Sequence, residues 1–384
     1  MQLAKGVIDY LETHRADMLD LLGRLVNIDS GTYDKAGVDR VGAVVRQELE
    51  SLGFTFRVVE RDEGGNHLVG TRSGDGRGRL LLAIHLDTVC PKGSAAERPF
   101  TVTGDRATGP GVADMKGGVA QMIYALKALR AANATGLPAL TVVCTGDEEI
   151  GTPTGRPVVE AEAKACDWAF VFEPGRADGS LVAGRWAVGA FYLTITGRTA
   201  HVANMTDPGV NACTELAHKV LALEGLTDLE RGIKVSVNLV QGGTARQVAA
   251  EKATAHIDVR VRSQADADRV AARVKEIALA PVTKGVELRL DGRITRPAME
   301  ATPASAALLK VATEVGQEIG MTLGTVISAG GSDGSFTANM GVPTLDGLGP
   351  IGHEVCSTRE WADVSSLVPR TALVALTAAR LGRL

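Results

Sequence analysis

An uncharged run, Leu80-Leu81-Leu82-Ala83-Ile84, ends on His85-Leu86-Asp87-Thr88-Val89. Apolar residues without alternation fit a strand covered on both faces, the usual state of a parallel strand inside an α/β layer fold. His85 and Asp87 are two apart, so both leave the same face of an extended chain. Ligands of open α/β sheets gather at the carboxyl ends of the strands. An Asp beside a His also fixes the tautomer and direction of a metal-bound imidazole. Taken alone, His85 reads equally well as a hydrogen-bonded strand-end histidine. Repetition of the pattern along the chain argues for more.

Helical spacing runs over about Ala4–Val26 and Val38–Leu52, and again over Gly117–Ala132. Strand-like runs fall at Phe54–Val59, His67–Thr71, Leu80–His85, Leu140–Cys144 and Trp168–Phe172. After residue 297 come a helix at Ala304–Ile319, a strand at Val342–Leu345 and a last helix over Val364–Leu381. Such alternation gives an α/β fold with a central, mostly parallel sheet. Two strands end in acids: Leu140–Cys144 leads into Gly146-Asp147-Glu148-Glu149, and Trp168–Phe172 into Glu173-Pro174-Gly175. A Gly-rich loop, Gly109-Pro110-Gly111-Val112-Ala113-Asp114, carries another acid ahead of a helix, and His353 follows a late Gly-rich turn.

If the strands are parallel, all these ends share one edge. So many carboxylates beside two imidazoles would repel one another without a cation among them. A donor set of His and carboxylates without Cys suits a pair of hard-to-borderline divalent ions rather than one structural zinc. A close pair needs a bridging carboxylate, for which Asp114 is the natural choice.

Near residue 187 the pattern changes. Strands at Gly189–Thr196, Lys234–Val240, Ala253–Val261 and Val286–Leu290 alternate with helices at Pro208–Leu223 and Ala265–Ala278, the latter capped by Ser263. The order β-α-β-β-α-β is ferredoxin-like. The expected organisation is a catalytic domain made of residues 1–186 and 297–384, with an inserted domain over 187–296.

The net charge of −4 offers no basic field for nucleic acid or an anionic membrane. The five cysteines, Cys90, Cys144, Cys166, Cys213 and Cys356, are scattered without a CxxC and read as reduced thiols of a cytoplasmic protein. The opening Met1-Gln2-Leu3-Ala4-Lys5-Gly6 lacks the apolar core of a signal peptide, and no apolar run reaches membrane-spanning length.

The ordered set His85–Val89 (HLDTV), Gly109–Gly118 (GPGVADMKGG), Gly146–Glu149 (GDEE), Phe172–Gly175 (FEPG), Ala200-His201 and Gly352-His353 resembles the two-zinc exopeptidases and deacylases. That family includes glutamate carboxypeptidase of the carboxypeptidase G type, acetylornithine deacetylase, succinyl-diaminopimelate desuccinylase and the aminoacylases. HLDTV, DEE and FEP resemble the glutamate carboxypeptidase branch most. The resemblance covers nearly the whole chain and implies a zinc-exopeptidase-like catalytic domain with the inserted ferredoxin-like domain as lid and dimerisation domain. It implies two zinc ions per subunit, with cobalt or manganese as substitutes: His85 and Glu173 on one, Glu149 and His353 on the other, Asp114 bridging. It further implies that Asp87 supports His85, that Glu148 is the general base, and that the peptide after Asp114 is cis. His201 would reach the partner subunit's active site of a homodimer, and Arg260 and Arg296 would engage the substrate carboxylate.

The sequence departs from the family pattern in places. Where many relatives carry Asn before Ile-Pro, this chain has Arg246-Gln247-Val248-Ala249-Ala250, so that Gln247 would supply the amide. A lysine that the carboxypeptidase branch carries shortly after its Glu-Pro is missing around Asp178-Gly179-Ser180-Leu181, so glutamate specificity does not follow. The expected activity is hydrolysis of an amide bond beside a free carboxylate in a small peptide. The alternative is removal of an acyl group from an N-acyl amino acid. A metal-free binding paralogue is the competing class, but all five ligand positions are filled. A dinucleotide-binding protein lacks its GxGxxG.

Overall fold

The structure, a computed structural model, describes residues 2–384; residue 1, the expected start of the first segment, lies outside them. The chain forms two compact units. One runs through Gly184 and resumes over Ala301–Ile327 and Ser332–Leu384; the other takes Arg185–Glu300 with Ser328–Gly331. The inserted unit closes on itself where Arg185 and Met299 exchange backbone hydrogen bonds of 3.0 and 2.9 Å.

The first unit opens with α1 (Gln2–Thr13), α2 (Arg15–Val26) and α3 (Lys35–Glu50). The single helix expected over Ala4–Val26 is thus two, broken at His14, whose Nδ1 bonds back to the Tyr10 carbonyl at 2.8 Å. Then follow β1 (Thr55–Val59), β2 (His67–Arg72), β3 (Arg79–His85), α4 (Lys116–Ala131), β4 (Ala139–Thr145) and β5 (Trp168–Val171).

The second unit contributes β6 (Ala187–Thr196), α5 (Ala212–Glu224), β7 (Ile233–Gly242), β8 (Lys252–Val261), α6 (Gln264–Leu279) and β9 (Glu287–Arg296). The chain then returns to the first unit with α7 (Pro303–Glu318), β10 (Thr344–Leu345) and α8 (Leu367–Leu381). No described helix is long and apolar enough to cross a membrane.

The main sheet has the order β1-β2-β4-β3-β5-β10. It is mixed rather than mostly parallel throughout. Pairings from β4 to β10 are parallel, whereas β1 with β2 and β2 with β4 are antiparallel. The seven residues between β1 and β2 are too few for a parallel crossover. In β3, Leu80, Leu82 and Ile84 enter one apolar core while Leu81 and Ala83 enter another. Both faces are therefore covered, which is why the run needs no alternation. α4 lies tight against the end of β5. A Cβ on Gly118 would stand 2.0 Å from the Phe172 carbonyl oxygen, so glycine is required there for the helix to approach the strand end that carries Glu173.

In the inserted unit the four strands are all antiparallel in the order β7-β8-β6-β9. Ser263 caps α6 by accepting the Asp266 N–H at 3.1 Å. The other helix starts at Ala212 rather than Pro208, because Asn211 provides the cap, accepting the Cys213 N–H at 3.0 Å.

Buried Glu215 pairs with buried Lys219 at 2.9 Å and accepts the N–H groups of Val282 and Thr283. Burial pushes the Glu215 carboxyl up, but Lys219 and these amides outweigh it and hold it down at about 2. Its stabilisation is complete above the ordinary carboxylate value near ~4.3 and is lost as the pH falls towards about 2. Glu215→Gln strands a buried ammonium and should cost about 3–5 kcal/mol. Urea unfolding at neutral pH measures that cost, and the variant should lose this part of the acid dependence.

Candidate metal centre

The first unit alone gathers the acids and the histidine. β3 delivers His85, only 2% exposed, with Nδ1 at 3.0 Å from the Asp87 carbonyl and 3.4 Å from its carboxylate. That side is committed, so Nε2 points to Asp114 Oδ1 at 3.2 Å and Glu173 Oε1 at 3.8 Å. Burial opposes a charge on His85, but the Asp114 and Asp87 carboxylates outweigh it and hold the imidazole well above its ordinary value.

Asp87 does more than support the ring. It accepts the Thr32 hydroxyl at 2.6 Å and the N–H groups of Glu148 and Glu149 at 3.1 and 3.2 Å. One buried carboxylate thus fixes the histidine and also the short helical turn Glu148–Ile150 at the end of β4. The peptide after Asp114 is cis.

Two overlapping sets of donors result. Ligand atoms of His85, Asp114 and Glu149 lie within 4.8 Å of one another, and those of His85, Glu148 and Glu173 do likewise. Glu149 Oε1 is buried without a hydrogen-bond partner. Burial, then the neighbouring Asp114 charge, pushes the Glu149 carboxyl up to about 9. Carboxylates this close draw protons in place of cations, and an orphaned buried oxygen wants a ligand. An imidazole with several carboxylates is a fitting donor set for a divalent metal.

His353 does not join either set. Glu354 and Cys356 both adopt positive φ, 48° and 61°, in the turn that follows it. His353 pairs in register with Trp361, which puts both side chains on one face of a small antiparallel sheet. The imidazole lies flat on the indole, with centroids 3.9 Å apart and 5° between planes. Cys356 joins neither set either, but the same turn brings its thiol to Asp114, donating to Oδ2 at 3.2 Å. Burial, then the Asp114 and Glu149 charges, raises that thiol. Cys356 is a neighbour of Asp114 that the sequence analysis did not single out. The signal available was its position inside a polar turn three residues after His353.

The other candidates belong to the inserted unit. His201 and Gln247 are exposed neighbours there: His201 bridges Val248, and the Val202 N–H reaches the Gln247 carbonyl at 2.9 Å. Arg260 on β8 and Arg296 on β9 both pair with Val188 of β6, so they flank it in one register row. Arg260 forms a two-pronged ion pair with Asp258 at 2.8 and 3.0 Å, and Arg296 is buried.

Beside Glu149 the first unit opens a cleft of about 640 Å³ between the loops that carry Tyr33, Val89, Lys92 and Ile150. Tyr33 is 84% exposed, on a turn tied to Thr88 by backbone hydrogen bonds. A large aromatic held exposed on a fixed turn beside a charged cluster is suited to substrate contact.

The family model described as peptidase family M20/M25/M40 matches residues 81–380. Carboxypeptidase G2 of Pseudomonas sp. (strain RS-16) is 32% identical over 373 residues, spanning 95% of this chain and 89% of that protein. Succinyl-diaminopimelate desuccinylase of Rhodospirillum centenum is 28% identical, spanning 93% of this chain and 95% of that protein. Among solved structures, an M20 family metallo-carboxypeptidase of Sulfolobus solfataricus shares the fold, with a TM-score of 0.76 at 16% identity, covering 94% of this chain and 98% of that one.

Proposed function

The chain belongs to peptidase family M20/M25/M40, and on that premise we propose that it hydrolyses an amide bond beside a free carboxylate, as a metallocarboxypeptidase. The observation that carries the reading is the ring of Asp114, Glu148, Glu149 and Glu173 oxygens around a single buried imidazole. His85, Asp114, Glu149 and Glu173 would hold the metal, which we read as two zinc ions. When bound, the metal supplies positive charge that acidifies water and polarises an amide carbonyl.

The rest is done by side chains. Asp87 fixes His85 and the Glu148–Glu149 turn. Glu148 takes the proton of the attacking water and passes it to the leaving amine. His201, reaching the partner subunit's active site, donates to the developing oxyanion, and Gln247 supplies an amide. Arg260 and Arg296 grip the free carboxylate, a task for which a guanidinium fork is suited. The cleft beside Tyr33 takes the group on the acyl side of the bond.

The strand order β7-β8-β6-β9 supports a ferredoxin-like inserted lid. Its edge strand β7 exposes Leu239 and Val240, which supports a homodimer joined there. Five unpaired cysteines suit a reducing cytoplasm.

A peptide with a free C-terminal carboxylate tests the function against its amide. Amidation should lower kcat/KM by on the order of 100-fold or more, since it removes the charged carboxylate that Arg260 and Arg296 would grip. Equal rates would remove the arginine clamp. Similarity to desuccinylases keeps an N-acyl-amino-acid deacylase as the second reading, which the same assay with varied acyl groups separates.

A further inference from the structure

We infer that Cys356, not His353, supplies the remaining protein ligand of the metal centre, binding as a thiolate across Asp114 from His85. The inference rests on the metal-hydrolase reading above. Asp114 divides its oxygens: Oδ1 faces His85 Nε2 and Oδ2 faces Cys356 Sγ, each at 3.2 Å. A bridging carboxylate has that division, one oxygen for each side. Glu149, grouped with His85 and Asp114, brings an unpartnered buried oxygen beside the same carboxylate.

The turn is built to hold the thiol there. Cys356 is a non-glycine residue at φ 61°, a conformation that side chains other than Asn and Asp seldom adopt. Ser357 Oγ donates to the Glu354 carbonyl at 2.6 Å and accepts the Arg359 N–H at 3.1 Å. Four residues on, Glu360 accepts the N–H groups of Ala113 and Asp114 at 2.8 and 3.0 Å. The segment is therefore anchored to Asp114 twice, through Cys356 and through Glu360. His353 lies stacked on Trp361, over which Arg106 also lies at 4.2 Å.

Binding would exchange the thiol proton for the metal, with the proton released to solvent and no change of oxidation state. One half of the site then carries imidazole and carboxylate, and the other carboxylate and thiolate. The thiolate half favours zinc, cobalt or cadmium over manganese and magnesium.

The test strips the full chain of metal with a chelator, reloads it with cobalt(II) and records the near-ultraviolet spectrum. Wild type and His353→Phe, which keeps the stacked ring, should both show a thiolate-to-cobalt charge-transfer band. Cys356→Ser should lose the band, and its metal affinity should fall by on the order of 100-fold. Cys356→His should recover the affinity without the band. A band that survives Cys356→Ser, or wild type that holds cobalt without one, overturns the inference. Appearance of the band in a protein that cleaves no amide upholds it while removing the hydrolase reading.

Discussion

Glu148→Gln should lower turnover by about 10²–10⁴-fold, the usual contribution of a general base, while the bound metal stays at the wild-type level. Glu148 and Glu149 are adjacent, and Asp87 pins both of their N–H groups. The turn aims the two side chains into overlapping donor sets: Glu149 with His85 and Asp114, Glu148 with His85 and Glu173. Proximity alone therefore does not separate base from ligand, whereas the variant does. Glutamine keeps the size of the side chain and removes its capacity to take a proton. Elemental analysis beside steady-state kinetics reads both. Loss of metal in parallel with activity would make Glu148 a ligand and leave the base unassigned.

Asp114→Asn should reduce activity to background by emptying the centre. Asp114 is the one residue that faces His85 through one oxygen and Cys356 through the other. An amide presents one weak acceptor where the carboxylate offers two charged ones. A second effect has the opposite sign. Asp114 heads the neighbouring charges that raise the Glu149 carboxyl, so neutralising it relieves repulsion among buried acids. Metal-free Asp114→Asn should therefore melt at a higher temperature than metal-free wild type, as expected of a site that gives up stability for function. A variant that keeps its metal and its activity would remove Asp114 from the bridge.

The parts of this molecule that are legible in its sequence are those set by local pattern. β3 shows as an unalternating run because both of its faces are buried. Ser263 shows as a cap because its side chain has a local N–H to accept. His85, Asp87, Asp114 and the Glu148-Glu149 pair stand out because strand ends concentrate polar groups.

What escaped depends on tertiary pairing. The antiparallel edge of the main sheet is fixed by which strand β2 finds, and periodicity carries no such information. Asp87 gives no local sign that it also fastens the amides of residues 148 and 149, on another strand end. His353 has the right residue type and the right neighbours in sequence. Its register partner is Trp361, on which its ring stacks, and the thiol three residues later faces Asp114. Side-chain type singles out the histidine, and backbone register sets what its ring lies against.

The most direct measurement is diffraction from crystals of the zinc-loaded protein, recorded at the zinc absorption edge. Expected are two anomalous peaks about 3.5–4 Å apart, one bonded to His85 and Glu173, the other to Glu149, with an Asp114 oxygen on each. Active crystals with no anomalous density beside Asp114 would contradict the metal centre on which every assigned role depends.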